Sequence, residues 1–334
     1  MNTPAKQKSI RFITREDHKL YIHPQTGDFI PGVTSTIDNL PKPFLKAWGQ
    51  KLVAQEAIAK YEQVGRLADV DPEAAVNWLK AAPNRFTAHA AKIGHIAHGY
   101  FEDMALGNSV GKVDAELQPF VDHFDDYLQT MQPEFLLLEE GIWSEKHDYA
   151  GTFDAIARYS NPDIYLKMFT PDGVEERPLV GVAWQDNKTT RSGVHPEVGL
   201  QLAAYRHAEY VLRPDGTVAQ NRPGDFALVL HVRPEGWELV PVEAGIPELN
   251  VFLNLRSITD YTREHSKKII HAPVAGNRIR RRKRASSKED PIVLHQIHDE
   301  PVKEKTFFEQ LAGVEAIVKE ANTQTPKPQK AIEA

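Results

Sequence analysis

PLVGVAWQDNK (178–188) is an apolar, β-branched run that closes on an acid and a lysine two residues apart. Side chains alternate across a strand, so Asp186 and Lys188 project from one face and a carboxylate shares its surroundings with an ammonium. Runs of the same kind precede it: EFLLLEEGIWS (134–144), AGTFDAIARYS (150–160) and IYLKMF (164–169), separated by turn residues such as Pro171-Asp172-Gly173. They are expected to be sheet strands. Helical periodicity returns in HPEVGLQLAAYRHAEYVL (195–212), DFALVLHV (225–232) and GWELVPV (236–242) read as two strands around Arg233-Pro234-Glu235, and a helix is expected near 246–267.

Towards the N-terminus, LYIHPQTGDFIPG (19–31) reads as a short hairpin turning at Thr26-Gly27-Asp28. FLKAWGQKLVAQEAIAKYE (44–62) has helical spacing and follows Pro41 and Pro43, which precede the helix instead of breaking it. Further helices are expected near 72–80, 84–106 and 114–131, so the stretch 32–131 is helical and the sheet core lies in 134–242. Strands and helices together make an α/β chain with one domain over 1–274. From 275 to 334 the composition turns charged and polar, and a disordered tail is expected there. Within it, KTFFEQLAGVEAIVKEA (305–321) places Phe307, Leu311, Val314, Ile317 and Val318 on one face of a possible docking helix.

The 334 residues are 41% hydrophobic, enough for a substantial core, and the chain has no cysteine. That absence excludes disulfides, thiolate zinc, a cysteine nucleophile and a cysteine-ligated iron–sulfur cluster, so any metal must sit on oxygen or imidazole. No apolar run is long enough to span a bilayer and MNTPAKQKSIRF carries no secretory pattern, so a soluble, cytoplasmic protein is expected. The net charge of −6 means that any nucleic-acid site must rest on a local basic patch. Arg278, Arg280, Arg281, Arg282, Lys283 and Arg284 form the densest such run, read either as a DNA-binding segment or as a solvated tail.

Phosphodiester hydrolysis uses a hard cation, which calls for converging oxygen ligands. Asp154, just after Gly151, and Asp186 are the candidate acids. Lys188 is placed to orient a water or stabilise phosphate charge, and the Asn187 backbone carbonyl offers a further ligand. In KIGHIAHGYFEDMALG, Gly94, His98 and Glu102 recur every four residues along one helix face, with His98 read as an imidazole ligand or as a partner of a metal-bound water, and Glu102 adding charge or positioning His98. Gln201 and Tyr205 are again i,i+4 and could contact phosphate or base. Each feature also has a plain reading: a surface ion pair for the Asp186–Lys188 spacing, a satisfied buried histidine for His98, core packing for Tyr205.

In order, GxxxHxxxE (94–102), GTFD (151–154), DNK (186–188) and QxxxY (201–205) resemble the RecB-like, phage-type branch of the PD-(D/E)XK nucleases. The likeness extends to GVTSTIDNLPKPFLKAWG (32–49) and LLLEEGIWSEKHDYAGTFDAIA (136–157). It implies a restriction-endonuclease-like core, a mixed central sheet flanked by helices, binding Mg²⁺ or Mn²⁺. It assigns His98, Asp154 and Asp186 as metal ligands, Lys188 as the catalytic lysine and Glu139 as a further acidic position. Asp186 stands where many members have Glu. The activity implied is a DNA exonuclease of recombination, repair or phage replication; a structure-specific endonuclease and a noncatalytic DNA-binding protein of the same fold are the alternatives. A zinc hydrolase is disfavoured because His95 and His98 do not form HExxH. With no GxxxxGK[ST] motif, unwinding would fall to a separate helicase or recombinase partner.

Overall fold

The computed structural model describes residues 12–15, 18–23, 26–170, 172–271 and 274. The chain divides into two units, Met1–His271 and Ala272–Ala334, and the described helices and strands all belong to the first. The basic run Arg278–Arg284 and the helix expected at 305–321 lie outside the described residues.

Three short strands open the chain, β1 (Phe12–Arg15), β2 (His18–Ile22) and β3 (Phe29–Pro31), with β2 and β3 forming the expected antiparallel hairpin. Helices come next as α1 (Val33–Ile37), α2 (Phe44–Ala59), α3 (Tyr61–Val70), α4 (Pro72–Lys80), α5 (Ala82–Ala105) and α6 (Gln118–Met131). Asp71 starts α4 by accepting from the Glu73 and Ala74 amides, each at 3.0 Å, with Pro72 where its missing N–H costs nothing. After them stand β4 (Glu134–Leu138), β5 (Gly141–Ser144), β6 (Tyr149–Thr152), β7 (Ala155–Thr170) and β8 (Gly173–Lys188). The chain continues through α7 (Glu197–His207), β9 (Tyr210–Leu212), β10 (Val218–Gln220), β11 (Phe226–Arg233), β12 (Gly236–Pro241) and α8 (Ile246–Arg263).

The central sheet is mixed, in the order β12-β11-β8-β7-β4. Only β8 and β11 run parallel, with Asp186 opposite Val229 and Lys188 opposite His231. A parallel pair needs a crossover, and α7 lies within that connection. Helices cover both faces. On one, the Tyr127 hydroxyl of α6 donates to Gln185 at 2.9 Å, and on the other Gln201 of α7 donates to Asp186 at 2.8 Å. Beneath α7 and α8, Phe153 meets Trp184 edge-on at 4.7 Å, Tyr149 meets Phe252 at 4.9 Å, and Tyr149 donates to the Ala204 carbonyl. A four-stranded sheet, β10-β9-β5-β6, joins the hairpin side through a parallel bridge between Gly32 and Ala150. β7 and β8 outrun their neighbours: β4 reaches only as far as Arg158 and β11 begins at Ala183, so the rest is a two-stranded ribbon shifted in register between Asn161 and Tyr165.

Several boundaries differ from the sequence reading, each for a local reason. EFLLLEEGIWS is two strands in two sheets, because Glu139 adopts a left-handed conformation (φ 50°) that turns the chain between them. Asp154 is not within a strand; it occupies the bend between β6 and β7. The helix expected over 195–212 ends at His207, where the Asn221 side-chain amide, from outside the helix, bonds the carbonyls of Tyr205, Arg206 and Ala208 and frees Tyr210–Leu212 to pair as β9. The helix expected over 44–62 breaks at Lys60 (φ −121°, ψ 29°), and α3 continues from Tyr61.

Tight approaches rest on glycine. A Cβ at Gly199 would lie 2.6 Å from the Glu243 backbone oxygen, whereas one at exposed Gly65 would meet nothing within 4 Å. Gly199→Ala is therefore expected to destabilise the fold by about 1–3 kcal/mol, because backbone cannot give way as a side chain can. Gly65→Ala, in the exposed interior of α3, should stabilise by up to about 1 kcal/mol. Urea unfolding midpoints that moved in the same direction for both variants would contradict this.

Candidate active site

Asp186 and Lys188 leave the end of β8 on the face covered by α7. Lys188 Nζ lies 2.7 Å from Asp186 Oδ2, as the two-residue alternation requires. Gln201, one turn before Tyr205 on α7, spans the pair: its Nε2 donates to Asp186 Oδ1 at 2.8 Å and its Oε1 accepts from Lys188 Nζ at 3.3 Å. The same Nε2 donates to the Tyr205 hydroxyl at 3.2 Å. Tyr205 is only 2% exposed and feels the charges of Asp186 and Asp154; burial first, then neighbouring groups, push its hydroxyl pKa well up. Gln201 and Tyr205 thus face inward and hold the acid–lysine pair. Gly151 makes room for this, since a Cβ there would lie 2.6 Å from Tyr205 Cε1.

The second acid is set by the bend. Glu139 N donates to the Asp154 carbonyl at 2.9 Å and Phe153 N to the Glu140 carbonyl at 3.1 Å, which ties the β4–β5 turn to the β6–β7 turn. Asp154 Oδ2 accepts from the Asn187 amide at 2.6 Å, so the side chain is anchored to the end of β8. From α5, His98 Nδ1 lies 3.7 Å from the same oxygen. His98, Glu139 and Asp154 each offer a donor atom, and these lie within 4.8 Å of one another. Asp186, which the resemblance assigned as a metal ligand, is not in that group; its carboxylate meets Lys188 and Gln201. Gly94 allows α5 to come this close, its added Cβ falling 3.0 Å from Thr189 Oγ1 just past Lys188. His95 is exposed and outside the cluster.

These groups line a small pocket: Glu102, His98, Glu139, Asp154 and Asn187 supply the polar side, and Phe101, Phe124, Phe135 and Leu138 the apolar side. Asn187 points away from Asp186. Its Oδ1 accepts from Gln185 Nε2 at 2.9 Å, and Gln185 Oε1 in turn accepts from Tyr127 at 2.9 Å and Tyr159 at 2.5 Å. This buried chain was missed in the sequence, since Tyr127, Tyr159 and Gln185 carry no spacing signal and meet only through packing. Glu139, which the resemblance marked as a further acidic position, is a full member of the donor cluster.

Charge is balanced unevenly across the site. Burial raises the Asp186 carboxyl above the ordinary carboxylate range; Lys188 opposes this, while Asp154 adds to it. For Lys188 burial works downward, but the attraction of Asp186 and Asp154 outweighs it and the ammonium is raised and stays charged. Two acids, an imidazole and a lysine at the edge of a rigid sheet can hold a divalent cation and place a cationic donor beside it.

No known protein family model matches the sequence, and no curated protein matches it.

The raised Asp186 pKa has a sign consequence for stability. Below the ordinary carboxylate range Asp186 is neutral folded and unfolded alike; as pH rises through its raised folded value, the folded state alone carries the cost of a buried charge and stability falls. Relative to the wild-type chain, Asp186→Asn, which also strips Lys188 of its carboxylate, is therefore expected to compare more favourably in melting temperature at pH 7 than at pH 3, both in chelator. Melting curves showing an equal effect at both pH values would remove burial as the cause.

Proposed function

We propose that this chain is a metal-dependent DNA nuclease with the restriction-endonuclease-like core of the PD-(D/E)XK superfamily, in its RecB-like branch. The observation that carries the reading is the convergence of His98, Glu139 and Asp154 within 4.8 Å, anchored through the Asn187 amide to the strand that presents Asp186 and Lys188. The mixed sheet flanked by helices and the order of the motifs along the chain support it.

The donor set suits a hard divalent ion: two carboxylates and one imidazole match Mg²⁺ or Mn²⁺ better than a thiolate-seeking metal, and the chain has no cysteine for an iron–sulfur cluster. Such an ion supplies neutralisation of phosphoryl charge and a more acidic water. The chain's own groups do the rest. Lys188, 30% exposed, directs its ammonium at the space beside Asp186, where it orients an attacking water or stabilises phosphate charge. Gln201 fixes the pair so that both act from one geometry, and Glu102 beside His98 adds negative charge at the pocket wall. The protein acts on DNA in recombination, repair or phage replication, in the cytoplasm, with unwinding left to a separate helicase or recombinase. Among the described residues no helix is long and apolar enough to cross a membrane.

Asp154→Ala, Glu139→Ala and Asp186→Ala are each expected to abolish Mg²⁺-dependent cleavage while leaving DNA binding in chelator within a few-fold. Lys188→Met should lower turnover by at least about a hundredfold, as loss of a charge-stabilising donor does. Digestion of linear DNA labelled at either end, beside covalently closed circles, reads all four and separates exonuclease from endonuclease. Full activity in the three acid variants would place the chemistry elsewhere.

A further inference from the structure

Three segments of this acidic protein contain no acid. Residues 41–55, 82–101 and 187–196 carry seven lysines and arginines and not one aspartate or glutamate, in a chain with 46 acids among 334 residues and a net charge of −6. They are far apart in sequence and packed together in the fold. Trp48 of α2 meets Phe86 of α5 edge-on at 5.6 Å, and Gly49 approaches Pro83. Phe44, at the start of α2, lies parallel to His195 with ring centroids 6.3 Å apart, and Gly94 of α5 touches Thr189. The same segments hold His98 and Lys188 of the candidate site.

Some of the charge is already neutralised. Lys42 pairs with Asp38 at 3.2 Å, Arg85 with Glu56 at 3.2 Å and Arg191 with Glu235 at 3.0 Å, all with acids outside the three segments. Lys46, Lys51 and Lys92 are exposed and have no acidic partner among the described residues. On the same helix as Lys46 and Lys51, Phe44 is 55% exposed, with His195 against one face of its ring. Lysines without partners favour a polyanion through counterion release, and an open aromatic ring adds affinity only where bases are unstacked and can lie on it.

We infer that α2, the first half of α5 and the 187–196 loop form a binding track for single-stranded DNA, with Lys46, Lys51 and Lys92 on phosphates and Phe44 stacking a base. The track deepens the nuclease reading and rests on it for the identity of the polymer, since it names the strand form that reaches the site. It also locates the basic patch on the folded domain instead of at Arg278–Arg284.

The experiment measures anisotropy of a labelled single-stranded oligonucleotide and of its duplex, with the full chain in EDTA across a salt series. For Lys46→Gln/Lys51→Gln/Lys92→Gln, single-strand affinity should fall at least about tenfold and the salt slope should flatten by about 2, because three phosphate contacts are lost. Phe44→Ala should weaken the single strand by about tenfold while barely changing the duplex. An unchanged affinity and slope in the triple variant, or equal loss on single strand and duplex for Phe44→Ala, overturns the track. Cleavage is scored separately with Mg²⁺. Wild-type protein that binds as described but never cuts would sink the nuclease reading alone; wild-type protein that cuts while the triple variant binds normally would sink the track alone.

Discussion

The Asp186 carboxylate sits 2% exposed at the end of β8, and a carboxylate so deep must have cations and donors within reach or surrender its charge. Its surroundings reflect that need. Lys188 is brought by the strand's own alternation and Gln201 by a helix held over the sheet, while Tyr205 closes the space below. The Gln201 amide can serve both partners in only one orientation, carbonyl to lysine and amide to acid. Turned over, it would set donor against donor and acceptor against acceptor. Through Gln201, α7 is tied to both members of the pair at the end of β8.

Asp154 solves a different problem. It stands in a bend, where backbone is less constrained than in a strand, yet its carboxylate is oriented by the Asn187 amide at 2.6 Å. One sheet strand thus positions both acids, Asp186 through its side chain and Asp154 through its main chain. Asn187 is held from the opposite face by Gln185, and Gln185 by Tyr127 and Tyr159. Motion of α6 would reach the donor cluster through four hydrogen-bonded side chains, none of which needs to touch a substrate.

What could be read from the sequence was what repeats locally. The two-residue spacing of Asp186 and Lys188 and the four-residue spacings of His98 with Glu102 and Gln201 with Tyr205 are properties of a single strand or helix, and all three pairs stand together in the fold. The bend at Asp154 and the left-handed Glu139 were not legible, because each turn is stabilised by the other and neither residue type announces it. The end of α7 escaped for the same reason: its stop signal, Asn221, arrives from beyond the next strand. Net charge concealed the acid-free segments, since a sum over the chain says nothing about how three separated stretches fold against one another.

The ribbon formed by the outer halves of β7 and β8 places a mechanical partition in the molecule. From Tyr165 to Pro178 these strands pair with no other strand among the described residues, and Phe169 near the tip is 87% exposed. The register shift between Asn161 and Tyr165 separates this outer ladder from the inner one, whose last pair is Ala155 with Gln185, one residue before Asp186. Fraying that starts at the tip meets that discontinuity before it reaches residues paired on both sides, so opening of the ribbon and opening of the sheet are separate events with separate free energies. The arm can bend, be clipped or be gripped while the strand that carries the acid and the lysine keeps its register.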